Sequence, residues 1–401
     1  MHRRDEDPVL AGVQPPPCSL SLPALSSRVA CVRASNWQYD SVVENSKKVP
    51  REALPPGLCR RDFIADPESA GEMRVLITGG AGYVGSLLTG SLLAAGNDVV
   101  VVDNLLFGGD SVLGYMSHPN FRFRKADVTS ESLSGDLREV DVVYHLAALV
   151  GFPVCQAVGE EVAFRFNRDA TRLVFDAAEK AGVSRFIFAS TYSNYGVAAD
   201  SRPVTEESDL HPQSLYARTK IASEEFLLER ARRSHIAAII PRFTTLFGVS
   251  PRTRFDLLVN QFVLEALLFR KLVLFEGNYR RSFVHVRDVV RALYLFATVP
   301  IETVRSQIFN VGAERGNYTK AEIIELIRRN INGVELEERE LSFGSDMRDV
   351  AVSCRKIRER LGFEATTTPE EGIREVRDAI SSGLIKEPQS ARYRNHDLVV
   401  R

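Results

Sequence analysis

The stretch RVLITGGAGYVGSLLTGSLLAAGNDVVVVD, Arg74 to Asp103, decides the fold. It opens on RVLIT, a short aliphatic run of the composition that strands favour. A glycine-rich turn follows, and then a run from Tyr83 that predicts a helix closed by Gly96. DVVVVD is a continuous apolar run of the kind buried on both faces of a parallel sheet. Strand, turn, helix and strand make one right-handed βαβ unit.

The glycines carry a second message. Gly79 allows the tight turn, Gly82 lets backbone approach a pyrophosphate, and Gly85 lets the helix pack on the strand. Phosphates would then lie at the helix start, Tyr83 and Val84, where unpaired N–H groups and the dipole favour anions. Asp103 ends the next strand, 21 residues past Gly82. A carboxylate there accepts hydrogen bonds from ribose hydroxyls and repels a 2′-phosphate. The unit predicts a dinucleotide site holding NAD rather than NADP.

The same alternation continues downstream. DVVYHLAA (141–148), RFIFAS (185–190) and IAAIIPRF (236–243) repeat the strand type, with helical stretches at 168–181 and 214–234 between them. This predicts an α/β fold with a doubly wound parallel sheet, its dinucleotide-binding domain spanning 73–245 with 283–312. Beyond residue 245 the texture loosens, and 246–282 with 313–385 read as a smaller C-terminal α/β substrate-binding region. Residues 386–401 read as a polar tail. Residues 1–72 are rich in Pro and Ser, as in VQPPPCSLSLPALSS, and hold no sustained period, so a disordered extension is expected. Their basic start lacks the apolar core of a signal peptide, and Met73 stands directly before the first strand.

Composition narrows the function classes. A formal net charge of −1 gives no basic footprint for nucleic acid. No apolar run approaches the ~18 residues of a membrane span. Five cysteines at 18, 31, 59, 155 and 354 form neither a disulfide framework nor a zinc site, which fits a reducing cytoplasm.

FASTYSNYG, Phe188 to Gly196, begins as a buried strand and ends in hydroxyls, at the sheet edge where such folds bind ligands. On the helix that follows, Tyr216 and Lys220 stand at i and i+4 and share a face. An ammonium beside a phenol favours phenolate, drawing a pKa of about 10 toward neutrality. Thr191 ends the neighbouring strand, where its hydroxyl can bridge a reacting oxygen and Tyr216. His145 reads as a strand-end hydrogen-bonding group, and Cys155 as a small buried hydrophobe.

From Met73 to about Ile385 the chain resembles the extended short-chain dehydrogenase/reductase family, chiefly its nucleotide-sugar epimerases and dehydratases of the UDP-glucose 4-epimerase type. The glycine spacing is that family's GxxGxxG. Asp103-Asn104-Leu105 is similar to its ribose-binding segment, Asp127-Val128 to its adenine-contacting pair, and His145-Leu146-Ala147-Ala148 to the strand end beside the cofactor. Asn167 matches a position that steadies the central helix and the active-site strand, and the resemblance counts it with the cofactor-binding residues. The resemblance implies that Thr191, Tyr216 and Lys220 are the catalytic set, with Tyr216 and Lys220 also holding NAD. It also implies a homodimer formed through two long helices.

The substrate implied is a nucleotide-diphosphate sugar. Arg is the side chain of choice for bidentate phosphate recognition, and SPRTR and YRRSFVHVRD supply Arg252, Arg254, Arg280 and Arg281. Arg281 is similar in position to the family's diphosphate-binding Arg. Asn260 resembles a substrate-backbone contact, Arg348 a second diphosphate clamp, and Arg252 is a further substrate candidate. The family's 4,6-dehydratases carry Asp-Glu directly after the catalytic Thr, whereas this chain has Tyr192 and Ser193. The expectation is therefore C4 oxidation and re-reduction, an epimerase. A 4-keto-sugar reductase and a non-catalytic NAD-sensing protein remain as alternatives.

Overall fold

The structure, a computed structural model, describes residues 72–129, 131–197, 202–339 and 349–397. Apart from Glu72, the expected N-terminal extension lies outside the described residues, as does Arg348.

Thirteen strands are described: β1 (Arg74–Thr78), β2 (Asp98–Asp103), β3 (Phe121–Lys125), β4 (Val142–His145), β5 (Arg185–Phe188), β6 (Ser190–Thr191), β7 (Ala237–Phe243), β8 (Thr245–Phe247), β9 (Lys271–Phe275), β10 (Arg280–His285), β11 (Gln307–Val311), β12 (Asn317–Thr319) and β13 (Glu335–Arg339). The main sheet has the order β11-β7-β5-β4-β1-β2-β3, with β6 also paired to β7. Every pairing within it is parallel. Strand order reverses at β1 and β4, the crevice where open sheets take ligands.

Alternation along the strands feeds two cores, one on each face. Val75 and Ile77 pack with Leu88 and Leu92 of the helix Tyr83–Ala94 and with Leu293 and Phe296 of the helix Val286–Thr298. Leu76 and Val143 pack with Val174 and Phe175 of the helix Ala170–Ala181 and with Leu227 of the helix Leu215–Ala231. A third core, with Phe247, Val263, Ile323 and Ile373, joins the helices Leu258–Phe269, Lys320–Asn330 and Pro369–Ser381 over two small sheets, β12-β10-β8 and β13-β9.

Two details position the site. The β5/β6 ladder against β7 keeps one register, Ile187 beside Ile239 and Ser190 beside Arg242, yet it breaks between them. Pro241 falls opposite Ala189 at the break and has no N–H to offer. The second detail corrects the expectation of a polar tail. Tyr393 stacks edge-on against Phe255 at 5.6 Å and its carbonyl accepts from Phe255 N–H at 2.9 Å. Asn395 N–H donates to the Asp256 carboxylate at 2.9 Å. Polar composition conceals this anchor because its bonds are made by backbone groups and one aromatic ring.

Candidate active site

A cavity of about 1570 Å³ opens at the carboxyl end of the main sheet. Single small-molecule sites run to ~1,000 Å³, so this one has room for a cofactor and a substrate together.

One wall is the glycine turn. Gly79 has φ +74°, and a Cβ there would stand 2.7 Å from Ala147 N. A Cβ on Gly85 would stand 2.3 Å from the Gly79 carbonyl. Gly82 precedes the helix Tyr83–Ala94, which has no side-chain cap and no acid in its first turn. Its leading N–H groups are left for an anion. Asp103 accepts from Ala81 N–H at 3.0 Å and Leu105 N–H at 2.8 Å, so it braces the turn from the cavity wall. Burial pushes its carboxyl up, against those two N–H groups and the Arg252 charge. Asp127 accepts from Thr129 N–H at 2.8 Å and from Asn104 Nδ2 at 3.4 Å. With Val128 and Leu146–Ala148, these groups line the same cavity. The glycine cradle, the open helix end and the strand-end carboxylate fit a dinucleotide.

The hydroxyl cluster faces that cradle. Ser214 caps the helix Leu215–Ala231, its Oγ accepting from Ala217 N–H at 3.1 Å, and so sets the position of Tyr216 in the first turn. Lys220 follows one turn later, 2% exposed. Its Nζ donates to Ala189 O at 2.8 Å, the residue at the ladder break, and lies 4.5 Å from the Phe188 ring centroid. Burial draws its pKa down to about 8. Thr191 Oγ1 accepts from Ser193 N–H at 3.1 Å and lies 3.1 Å from Ser193 Oγ. Thr191, half-buried Tyr216 and Lys220 all line the cavity, as do Arg252 and Arg281.

Asn167 and Asn260 are both held by the protein's own groups, and neither lines the cavity. Asn167 accepts from Leu149 N–H at 2.8 Å and donates to Leu149 O at 3.1 Å and Thr219 Oγ1 at 2.9 Å, tying the β4 exit to the Tyr216 helix. It lies in a π-helical turn, Arg165–Asp169. Asn260 is tied in the same way. It accepts from Gly248 N–H at 2.9 Å and donates to Gly248 O at 3.0 Å and Arg254 O at 2.9 Å, closing the loop after β8. No substrate group is needed to satisfy it. His145 bonds Thr78 Oγ1 at 2.8 Å and Thr171 Oγ1 at 3.1 Å, and burial holds it neutral with a pKa of about 3. Cys155 Sγ donates to Leu149 O at 3.4 Å, its thiol pushed up to about 11 by burial.

A network that sequence reasoning missed supports the hydroxyl cluster from below. Arg242 grips Glu224 through Nη2 at 2.6 Å and Nε at 3.1 Å, and donates to Tyr195 OH at 3.0 Å. Glu224 also accepts from Ser190 Oγ and from Asn194 Nδ2 at 2.9 Å. The available signal was the i, i+4 spacing of Lys220 and Glu224.

Relatives carry the same architecture. The sequence profile of the NAD-dependent epimerase/dehydratase family matches residues 75–312. The low-salt glycan biosynthesis protein Agl12 of Haloferax volcanii is 32% identical over 75% of this chain and 96% of its own. UDP-glucuronic acid decarboxylase 2 of Arabidopsis thaliana is 29% identical over 75% of this chain and 66% of its own. Among solved structures, the dTDP-glucose 4,6-dehydratase of Streptomyces venezuelae with NAD bound aligns at TM-score 0.70 and 27% identity, over 79% of this chain and all of that one. The UDP-glucose 4-epimerase of Thermotoga maritima with UDP-glucose aligns at 0.69 and 26%, over 78% of this chain and all of that one. With its glycine cradle, open helix end and strand-end carboxylate, the chain belongs to the NAD-dependent epimerase/dehydratase family and takes NAD as its cofactor.

Proposed function

We propose that the protein is a nucleotide-sugar 4-epimerase, oxidising and re-reducing C4 of an NDP-hexose through a 4-keto intermediate. Bound NAD would supply the hydride acceptor and donor. Tyr216, as phenolate, takes the proton of the C4 hydroxyl while Lys220 keeps a positive charge beside the site. Thr191 holds O4, and Arg281, 2% exposed on the cavity wall, holds the diphosphate. The keto sugar then turns in the cavity, and Tyr216 returns the proton as hydride returns to the opposite face.

The observation that carries this reading is the chemistry directly after Thr191. Tyr192 OH lies 2.7 Å from Thr245 Oγ1, and Ser193 is bonded to Thr191. Neither is an acid or base suited to removing water across C5 and C6, which disfavours the dehydratase. Asp103, suited to NAD, disfavours an NADPH-consuming keto-reductase. A second reading is supported by the decarboxylase relatives. A 4-keto group lies β to a C6 carboxylate, so in a UDP-glucuronic acid the C5–C6 bond can break to release carbon dioxide and an enolate, C5 then taking a proton from water before the 4-keto group is re-reduced to the UDP-pentose.

The test is chromatography of products from UDP-, GDP-, CDP- and dTDP-hexoses and from UDP-glucuronic acid. Interconversion of C4 epimers without net cofactor reduction is expected, and Tyr216→Phe should lower turnover by roughly 10² or more with the melting temperature kept. Carbon dioxide and a UDP-pentose would establish the decarboxylase instead. Consumption of reduced cofactor by a 4-keto sugar would establish the reductase. NAD binding with no turnover of any sugar would leave a cofactor-sensing protein.

A further inference from the structure

Arg252 lies on the loop between β8 and the helix Leu258–Phe269, and that loop is fastened to the phosphate-facing helix. Ser250 Oγ donates to Tyr83 O at 2.6 Å and lies 3.2 Å from Ser86 Oγ. Tyr83 OH donates to Gly248 O at 2.8 Å, and Arg252 N–H to Ser250 Oγ at 3.2 Å. From this anchorage the guanidinium reaches across to Phe107, its central carbon 4.0 Å from the ring centroid. Phe107 belongs to the loop that follows Asp103. The side chain thus spans from the first turn of the helix Tyr83–Ala94 to the β2 loop, the two walls of the glycine cradle.

Arg252 is 6% exposed and lines the cavity, yet its Nε and Nη2 have no hydrogen-bond partner among the described residues. Those two donors form one edge of the guanidinium, the fork that binds a phosphate or carboxylate with two parallel bonds. Arg254, two residues on, uses the same edge on Asp256 at 2.9 Å for both bonds, so that carboxylate is already taken. Asp103 has both oxygens on backbone N–H groups. A buried cation with an empty fork is costly unless an anion completes it. Burial and the Arg254 charge have already drawn its pKa down to about 10.

We propose that Arg252 closes over the pyrophosphate of the NAD, its Nε–Nη2 edge donating to phosphate oxygens on the side opposite the helix N-terminus. The guanidinium is then a clamp on the cofactor and not on the sugar nucleotide, for which the sequence marked it. Because its loop is already fastened to the helix Tyr83–Ala94, the guanidinium is in place to hold the cofactor without any movement of the loop. The proposal concerns binding alone and stands whichever sugar reaction the protein performs.

Titration calorimetry of NAD, NADP and UDP separately, on the full chain stripped of cofactor, tests it with Arg252→Met and Arg252→Lys. Arg252→Met should weaken NAD roughly 10- to 100-fold, the scale of charge-assisted hydrogen bonds, and leave UDP within about twofold. Arg252→Lys keeps the charge without the fork and should fall between. The stripped Arg252→Met protein should melt at or above the parent temperature, because an unpaired buried charge is gone. Weakened UDP with unchanged NAD would assign the guanidinium to the substrate diphosphate and overturn the proposal. Weakened NADP alone would assign it to a 2′-phosphate, equally overturning it. Unchanged binding of all three, or a fall of many degrees in the stripped variant, would make Arg252 a purely structural residue.

Discussion

In the proposed relay, Lys220 would set the pH range. Burial lowers its pKa from 10.5 to about 8, while Cys155 and Glu224 pull the other way. The folded pKa therefore lies below the unfolded one, and between about 8 and 10.5 the folded protein binds fewer protons. For this group stability is lowest below pH 8 and rises across that window, whereas the ammonium that Tyr216 needs is lost over the same range. We expect kcat/KM to fall through a limb near pH 8 in the unliganded-enzyme profile, and Lys220→Met to lower activity and remove the limb. A limb near the ordinary lysine value, or one that survives Lys220→Met, would exclude this assignment. Tyr216 and Lys220 were legible because helical spacing puts them on one face whatever surrounds them. Asn260 was not legible as a brace, because a buried amide satisfied by backbone has the same sequence signature as one offered to a ligand.

At the scale of elements, the active-site floor depends on a break in a ladder and an ion pair beneath it. Pro241 leaves the backbone beside Ala189 open, and the Ala189 carbonyl is taken by Lys220. Glu224 and Arg242, each with a side chain 3% exposed, hold the Ser190–Tyr195 segment against β7. Breaking such a pair from one side strands a buried charge. Glu224→Gln should cost about 3–5 kcal/mol, read as a lowered urea midpoint with unchanged slope. Replacing both partners with Met should recover part of that loss, since no charge is then left unpaired. A loss below about 1 kcal/mol for Glu224→Gln would mean that the pair is solvated in solution. IAAIIPRF announced a buried strand correctly, but its Arg lay in an apolar run where only tertiary structure supplies a carboxylate.

Across the whole molecule, β3, whose FRFRK alternates Phe with Arg, was not read as a strand, whereas most of the doubly wound sheet was legible because its βαβ units repeat a local pattern. The region after residue 245 was less so, since its short strands pair across long separations, β8 with β10 and β9 with β13. The C-terminal segment is the extreme case, a polar stretch that returns to the cavity wall, where Asn395 lies 7% exposed. Its surface ion pair, Arg392 with Asp110 at 2.7 Å, is exposed and contributes little. The hold is Tyr393 on Phe255, an aromatic pair of about 0.5–1.5 kcal/mol, and Asn395 N–H on the Asp256 carboxylate, a charge-assisted bond of about 1.5–3 kcal/mol. Asp256 in turn fixes Arg254, so this segment braces the loop that carries Arg252. A chain ending at Lys386 should lose roughly 2–4 kcal/mol of stability and bind NAD more weakly than the full chain. Thermal melting of both chains with and without NAD measures the two effects separately. Equal melting temperatures and equal NAD-induced shifts would mean that residues 387–401 are a free tail after all.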